Sequence, residues 1–162
     1  MLNETKKEVD LLELKNIVES KHKIIGLDLG KKRIGVSIST SDMNGALPLR
    51  TVIYSGLKDL VDELSEIIKT HDVKAVIIGL PINMDGSEGK SSQSIRDKSK
   101  KILSFFELSY SFWDERLSTA AVARVYKTPS KTRQKRKNKK KDIDNLASAF
   151  ILEGALEYIK RN

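Results

Sequence analysis

The sequence predicts an α/β fold, in which a mixed five-stranded sheet carries helices on both faces. Five short runs rich in apolar and β-branched residues are typical of strands. The first three runs follow one another closely, as in an antiparallel meander, whereas a helical pattern precedes each of the last two. Strands joined through helices usually pair in parallel, so both kinds of pairing are expected in one sheet.

The individual elements follow from hydrophobic periodicity. The predicted strands lie at 23–29, 33–40, 47–53, 74–80 and 108–113. The predicted helices, which carry apolar residues three and four apart, lie at 57–70, 91–106, from 118 or 119 to about 126, and 143–159. After Lys74, the run at 74–80 is continuously apolar, which indicates a central strand buried on both faces.

The domain organisation is simple, because 162 residues suit a single domain. Residues 1–22 are predicted to form a helical extension that packs against the domain or a partner, and 23–162 the domain itself. No apolar stretch is long enough to cross a bilayer, and the N-terminus lacks the apolar core of a secretory signal. With no cysteine, disulfides and thiolate metal sites are excluded. We therefore expect a cytoplasmic protein without a membrane partner.

The net charge of +8 comes from one segment. Eight of the 30 basic residues lie between 131 and 141, and the remaining 22 equal the 22 acidic residues. Like charges repel, so we predict a mobile basic loop over 128–141. It could be a solvated loop, but such concentrated charge favours a polyanion-binding arm. No aromatic or amphipathic anchor accompanies it, which makes an anionic membrane the weaker candidate.

Asp28 is the most informative residue, because it interrupts the otherwise apolar first strand. Burying a carboxylate is costly unless a cation or hydrogen-bond donors compensate it. The flanking Gly26 and Gly30 leave room for a metal or a phosphate near the backbone. A structural ion pair with Lys31 or Arg33 is the alternative.

Two further carboxylates lie at element ends: Glu115 follows the last strand and Asp144 begins the last helix. Together with Asp28 they could form an oxygen-only site, which suits Mg²⁺ or Mn²⁺. Two such ions about 4 Å apart could activate water and stabilise the leaving oxygen in phosphodiester hydrolysis. Alternatively, Glu115 could pair with Arg116 or Lys127 on the surface. Asp144 could be a first-turn residue favoured by the helix dipole.

Other polar residues make weaker candidates. Asp142 is predicted to cap the last helix, and Asp114 to be a turn residue at a strand end. His22 and His71 lie at element boundaries without partner spacing, so we expect exposed side chains and no metal site. The sequence contains no Walker-type phosphate loop and no nucleophile elbow.

Four segments, taken together, resemble the motifs of one family. They are IGLDLGKKRIGV at 25–36, GLPINMDGSEG at 79–89, WDERLST at 113–119 and DNLASAFIL at 144–152. In this order they are similar to the motifs of the YqgF family, also called RuvX-type, a Holliday-junction-resolvase-like branch of the ribonuclease H superfamily. The resemblance covers about 23–160. The chain departs from the pattern at Ser148, where a second alanine is usual, and in its extra N-terminal helix.

The resemblance implies a ribonuclease H-like fold and a nuclease that processes the 5′ end of the pre-16S ribosomal RNA. It also implies that Asp28, Glu115 and Asp144 bind Mg²⁺ or Mn²⁺ and carry catalysis. The expected partner is structured RNA or branched DNA, and the protein a monomer or homodimer. The residues expected to contact nucleic acid are basic; they are Lys32, Arg33, Arg116, Lys135, Arg136, Lys137, Lys139 and Lys140.

Three alternatives stay open at this point. One is a Holliday junction resolvase-like DNA endonuclease, and another is an RNA-binding ribosome assembly factor that does not cut. The third is an actin-like ATPase, since Asp-x-Gly after a first strand also opens that phosphate site. Such ATPases need two copies of the fold facing a cleft, and this chain holds one.

Overall fold

The computed structural model describes residues 8–18, 21–117 and 139–162, and side chains in the last range from Leu146 onward. The strands are β1 (Lys23–Leu29), β2 (Arg33–Ser39), β3 (Ala46–Ile53), β4 (Val73–Leu80) and β5 (Ser109–Asp114). The helices are α1 (Leu11–Ile17), α2 (Leu57–His71), α3 (Lys90–Leu103), a 3₁₀ turn (Glu115–Leu117) and α4 (Lys139–Arg161). The helix predicted at 118–126 and the loop residues 128–138 lie outside the described ranges.

The five strands form one mixed sheet in the order β3-β2-β1-β4-β5. β1 pairs antiparallel with β2, and β2 antiparallel with β3, as a meander predicts. β4 lies parallel to β1 on its other side, and β5 parallel to β4. The predicted α/β class with a mixed five-stranded sheet is therefore confirmed, and the strand that carries Asp28 is central.

Side-chain alternation along the strands builds two apolar layers. In β1, Ile25 and Leu27 belong to the layer covered by α2 and α3. Ile24, on the opposite face, packs with Leu152 of α4 and with the region of α1. Each Leu or Ile that is fully buried in these layers contributes about 1.5–3 kcal/mol to stability. Asp28 is an even-numbered position of β1 and therefore lies on the α4 face of the sheet.

Helix α4 approaches the sheet very closely at Gly26. A Cβ atom there would lie 2.8 Å from the Leu152 Cβ and 2.9 Å from the Ser148 carbonyl oxygen, both too near. The Ser37 hydroxyl, which is also beside Gly26, donates a 2.7 Å hydrogen bond to the same carbonyl. The missing side chain of Gly26 thus allows a buried hydrogen bond to fix the height of α4 above β1 and β2.

The N-terminal segment packs against the domain. The Val9 amide donates to the Tyr110 carbonyl at 2.9 Å, so the segment meets the outer side of β5. The Asp10 carboxylate caps α1 by accepting hydrogen bonds from the amides of Leu12 and Glu13. Leu14 is fully buried beneath this helix. Among the described residues, no helix is long and apolar enough to cross a membrane.

Three expectations are wrong in detail. α4 begins at Lys139, so the last three residues of the predicted loop are helical and Asp142 lies inside the helix rather than capping it. The helix before β5 ends at Leu103, not 106, because the chain turns at Ser104. The His22 side chain is only 15% exposed, because tertiary neighbours cover it, and its Nε2 lies 3.8 Å from an oxygen of Asp72.

We predict that Gly26→Ala lowers the free energy of unfolding by about 1–3 kcal/mol, because the new methyl group would push α4 off the sheet. Urea unfolding followed by circular dichroism measures the change. Gly45→Ala is the matched control, since its nearest neighbour would be a flexible methyl group at 3.8 Å. That control should be neutral or stabilising by up to about 1 kcal/mol. Equal effects of the two substitutions would contradict close packing at Gly26.

Candidate active site

Asp28 lies at the carboxyl end of the central strand. It is one residue beyond the Leu27–Ile78 pair of the parallel β1–β4 ladder, and it is half-buried. Gly79 occupies the corresponding place on β4, directly after Ile78, and pairs with Trp113 of β5. The carboxyl ends of three adjacent strands therefore meet at one edge of the sheet, with Asp28 on the first of them.

Glu115 is the first residue after β5, at the start of the 3₁₀ turn. Its carboxylate lies directly over β4, because a Cβ atom on Gly79 would be only 2.6 Å from Glu115 Oε1. Ile151 of α4 covers the same glycine from above. The absence of a side chain at Gly79 thus lets Glu115 reach across the middle strand toward the strand that carries Asp28.

The electrostatics show that the two carboxylates share one site. Burial raises the pKa of Glu115, and the negative charges of Asp28 and Asp114 add to the effect, so that together they bring the pKa from 4.5 to about 7. Burial is the largest cause, since a carboxylate loses hydration there. The influence of Asp28 comes from a residue 87 positions earlier in the chain. The fold has therefore brought together two of the three acids that the sequence singled out.

Asp114 and Arg116 hold the backbone on both sides of Glu115. The Asp114 carboxylate accepts the Arg116 amide at 3.0 Å and the guanidinium at 2.7 to 3.1 Å. These hydrogen bonds hold the pKa of Asp114 below its usual range. Asp114 is therefore the strand-end turn residue that the sequence predicts. Arg116 also donates to the Asn83 carbonyl at 3.3 Å, which links the turn to the loop after β4.

The loop at 81–89 is ordered by its own hydrogen bonds. The Asn83 amide donates to the Ser87 carbonyl at 2.9 Å, and the Asp85 carboxylate accepts the Ser87 amide at the same distance. Arg96 of α3 donates to both oxygens of Glu88 and fixes the end of the loop. Sequence reasoning singled out this segment as a motif but missed its role as a support for the Glu115 turn.

Asp144 lies in α4, one helical turn before Ser148. Its side chain is outside the described part of the structure. Within that part, no three acidic or histidine side chains come together as a metal site would require. The described site is therefore a pair of carboxylates, Asp28 and Glu115, and the position of the third predicted ligand stays a prediction.

The predicted nucleic-acid contacts are placed unevenly. Lys32 is exposed in the turn between β1 and β2, and Arg33 begins β2 half-buried. The Arg116 guanidinium is bound to Asp114, although it is still open to solvent. Lys139 and Lys140 lie in the first turn of α4, and their side chains are outside the described part of the structure. Residues 135–137 are among those the structure does not describe.

A model of the RuvX family, described as Holliday junction resolvase, matches residues 22–158. The chain belongs to the RuvX family. This RuvX chain is 38% identical to a protein of Rhodospirillum centenum over 94% of this chain and 82% of the relative. It is 41% identical to a protein of Pelagibacter ubique over 86% of this chain and 91% of that relative. Both relatives carry the name "Putative pre-16S rRNA nuclease". The family resemblance is therefore confirmed.

Solved structures share the fold of this RuvX chain at low sequence identity. T. thermophilus RuvC in complex with a Holliday junction substrate matches with a TM-score of 0.55 and 11% identity, over 86% of this chain and 95% of RuvC. The yeast mitochondrial Holliday junction resolvase Ydc2 matches with a TM-score of 0.54 and 11% identity, over 93% of this chain and 83% of Ydc2. The ribonuclease H-like fold is thus confirmed.

We predict that the metal-free protein loses stability as pH rises through the range in which Glu115 ionises. The folded pKa of about 7 exceeds the ordinary 4.5, so the native state binds more protons than the unfolded state between these values. Stability therefore falls from about pH 4.5 to 7 and stays reduced above that range.

Glu115→Gln removes this loss. At pH 8 in the presence of a chelator, the free energy of unfolding of Glu115→Gln should exceed that of the parent by on the order of 1 kcal/mol, a value that is already reduced for solvent screening. This corresponds to a rise of about 2–4 °C in Tm. At pH 4 the difference should vanish. Glu107→Gln, the same change at an exposed position, is the control and should leave the pH profile unchanged. Parallel profiles of Glu115→Gln and parent would contradict the raised pKa.

Proposed function

We propose that this protein is a metal-dependent nuclease that hydrolyses phosphodiester bonds at the 5′ end of pre-16S ribosomal RNA in the cytoplasm. One observation carries the proposal: Asp28 and Glu115 lie at one sheet edge, where the charge of Asp28 helps raise the pKa of Glu115. The names of the relatives support the RNA substrate, and the ribonuclease H-like fold supports the reaction.

The residues present fit a divalent cation. Two carboxylates close enough to repel each other carry negative charge that a divalent cation would compensate, and their repulsion contributes to the raised pKa of Glu115. An all-oxygen donor set suits Mg²⁺ or Mn²⁺ rather than a softer metal. Asp28, Glu115 and Asp144 would hold the ion. When bound, such an ion polarises the phosphate and makes water a stronger nucleophile.

Assigning Asp144 as the third ligand rests on backbone position. Residues four apart share one face of a helix, so residue 144 lies on the same face as Ser148. The Ser148 carbonyl accepts the buried hydrogen bond from Ser37. This hydrogen bond lies beside Gly26, which is two residues before Asp28 on β1. The helix face that contacts the sheet at Ser148 therefore continues, one turn earlier, with Asp144.

The other residues of the site position these ligands and bind the substrate. Asp114 and Arg116 fix the turn that presents Glu115, and Ile151 limits the space above Gly79. In the proposed complex, Lys32 and Arg33 bind phosphates flanking the scissile bond, and the exposed side of Arg116 adds a third contact. The five basic residues among 135–140 supply affinity that falls with salt concentration.

The decisive experiment is incubation of the protein with the 5′ region of pre-16S RNA and with a four-way DNA junction. Each substrate is tested in Mg²⁺, in Mn²⁺ and in chelator. We expect metal-dependent RNA cleavage, and we expect Asp28→Asn to slow it by about 10²-fold or more while binding is retained. Asp62→Asn, the same change on the exposed side of α2, should cut like the parent.

The outcomes separate the alternatives. Equal cleavage by Asp28→Asn and the parent would refute the catalytic assignment. Cleavage of the junction but not of RNA would instead support a Holliday junction resolvase-like endonuclease, which the family description and the RuvC fold keep open. RNA binding without cleavage in any metal would leave the non-cutting assembly factor.

A further inference from the structure

A groove with a volume of about 750 Å³ lies between α3 and the junction of β3 with α2. Its floor and one wall are formed by Tyr54 and Leu57, and its other wall by one face of α3. We call it the α3 groove. None of the four family motifs includes the residues of α3 that line it, and the proposed catalytic chemistry does not use it.

The α3 groove is basic. Lys90, Lys98 and Lys101 line it, against a single acidic residue, Asp97, whose carboxylate accepts a 2.9 Å hydrogen bond from Gln93. Within the part of the chain that the structure describes, no ion pair joins any of the three lysines to a carboxylate. Their charges are therefore not neutralised locally and favour an anionic ligand.

The groove adjoins the turn that follows Asp28. The Lys98 ammonium donates a 3.1 Å hydrogen bond to the carbonyl of Gly30, two residues after Asp28. It also lies 4.4 Å from the centre of the Tyr54 ring, a cation–π contact. The Tyr54 amide donates to the Lys32 carbonyl at 2.9 Å. The turn at 30–32 thus links the groove to the end of the strand that carries Asp28.

The spacing of the charges fits an extended chain of phosphates. Lys90 and Lys101 are eleven positions apart, which is roughly 16 Å along a helix. A helical nucleic-acid strand advances about 3.4 Å per phosphate, so this distance spans roughly five nucleotides. A small anion would need the lysines to converge, and a flat membrane surface cannot enter a concave groove.

We propose that the α3 groove binds the phosphodiester backbone of the substrate strand on one side of the scissile phosphate. Lys90 and Lys101, both exposed, contact the phosphates, and Lys98 positions the wall by holding the 30–32 turn against Tyr54. The inference rests on the proposed function in that its occupant is the nucleic acid that the nuclease cuts.

The first test compares two double variants that lose the same charge. Lys90→Gln/Lys101→Gln removes the two exposed lysines of the groove, and Lys69→Gln/Lys100→Gln removes two exposed lysines that do not line it. Binding to an RNA hairpin and to a DNA junction is measured in chelator over a salt series, so cleavage does not interfere. Thermal unfolding of the parent and of both double variants checks that each is folded.

We expect the groove variant to bind about tenfold more weakly than the control variant. The slope of log affinity against log salt should fall by about 1.4–1.8, the value for two lost phosphate contacts. A loss on RNA alone, or on DNA alone, would identify the substrate strand that the groove holds. Equal affinities and equal slopes for the two variants would overturn the proposal, whether or not the parent cuts.

The second test uses the absence of cysteine from the chain. Lys101→Cys and, as control, Lys69→Cys are labelled with a photoactivated cross-linker and irradiated with the bound RNA hairpin or DNA junction. Labelled Lys101→Cys should cross-link nucleotides at one defined distance from the cleavage position, and the control should not. Cross-links of equal yield and scatter from both positions would contradict the groove.

The two proposals fail in different ways. If the parent binds but never cuts, and the groove variant still binds more weakly than its control, the proposed nuclease activity is refuted and the proposed role of the groove is supported. If the parent cuts and the groove variant matches its control, the proposed role of the groove is refuted and the proposed nuclease activity is supported. Parent protein that binds neither nucleic acid refutes both.

Discussion

The structure depends on how closely helix α4 can approach the sheet. Two glycines on the same face, Gly26 in β1 and Gly79 in β4, leave space that any side chain would fill. The Ser37–Ser148 hydrogen bond fixes the helix at the first glycine, and Glu115 occupies the space at the second. The same packing that buries the apolar layer thus determines where the carboxylates can stand.

Within this arrangement, a polar site forms at low cost to the core. Asp28 lies where the ladder between β1 and β4 ends, so it is half-buried rather than enclosed. Glu115 is also partly buried, and its raised pKa reflects that burial and its acidic neighbours. The turn that holds it is stabilised separately, by the Asp114–Arg116 ion pair on its other side. Packing, turn geometry and charge are therefore distributed over different residues around one site.

Much of the fold was predictable, because strands and amphipathic helices leave periodic patterns in the sequence. The parallel pairing of β4 and β5 followed from the helical pattern that precedes each of them. The start of α4 was not predictable: lysines repel one another in isolation, yet Lys139 to Lys141 continue a helix whose later turns are anchored on the sheet. His22 was mispredicted because burial depends on tertiary neighbours that a local pattern does not contain.

For the site, single acids in apolar context and the family motifs identified Asp28 and Glu115. The supporting contacts were beyond sequence reasoning, since Gly79 beneath Glu115 and the Arg116–Asn83 hydrogen bond join segments far apart along the chain. A glycine inside the continuous apolar run of β4 was the available signal. It indicates close approach of another group but does not identify that group.

The N-terminal segment has a consequence for how copies of this protein meet. By pairing at Tyr110 and covering Trp113 with α1, it shields the outer side of β5. The opposite border of the sheet, β3, carries Pro48, which offers no amide hydrogen, and a charged Arg50. Both margins are thereby poor templates for the addition of a strand from another copy of the protein.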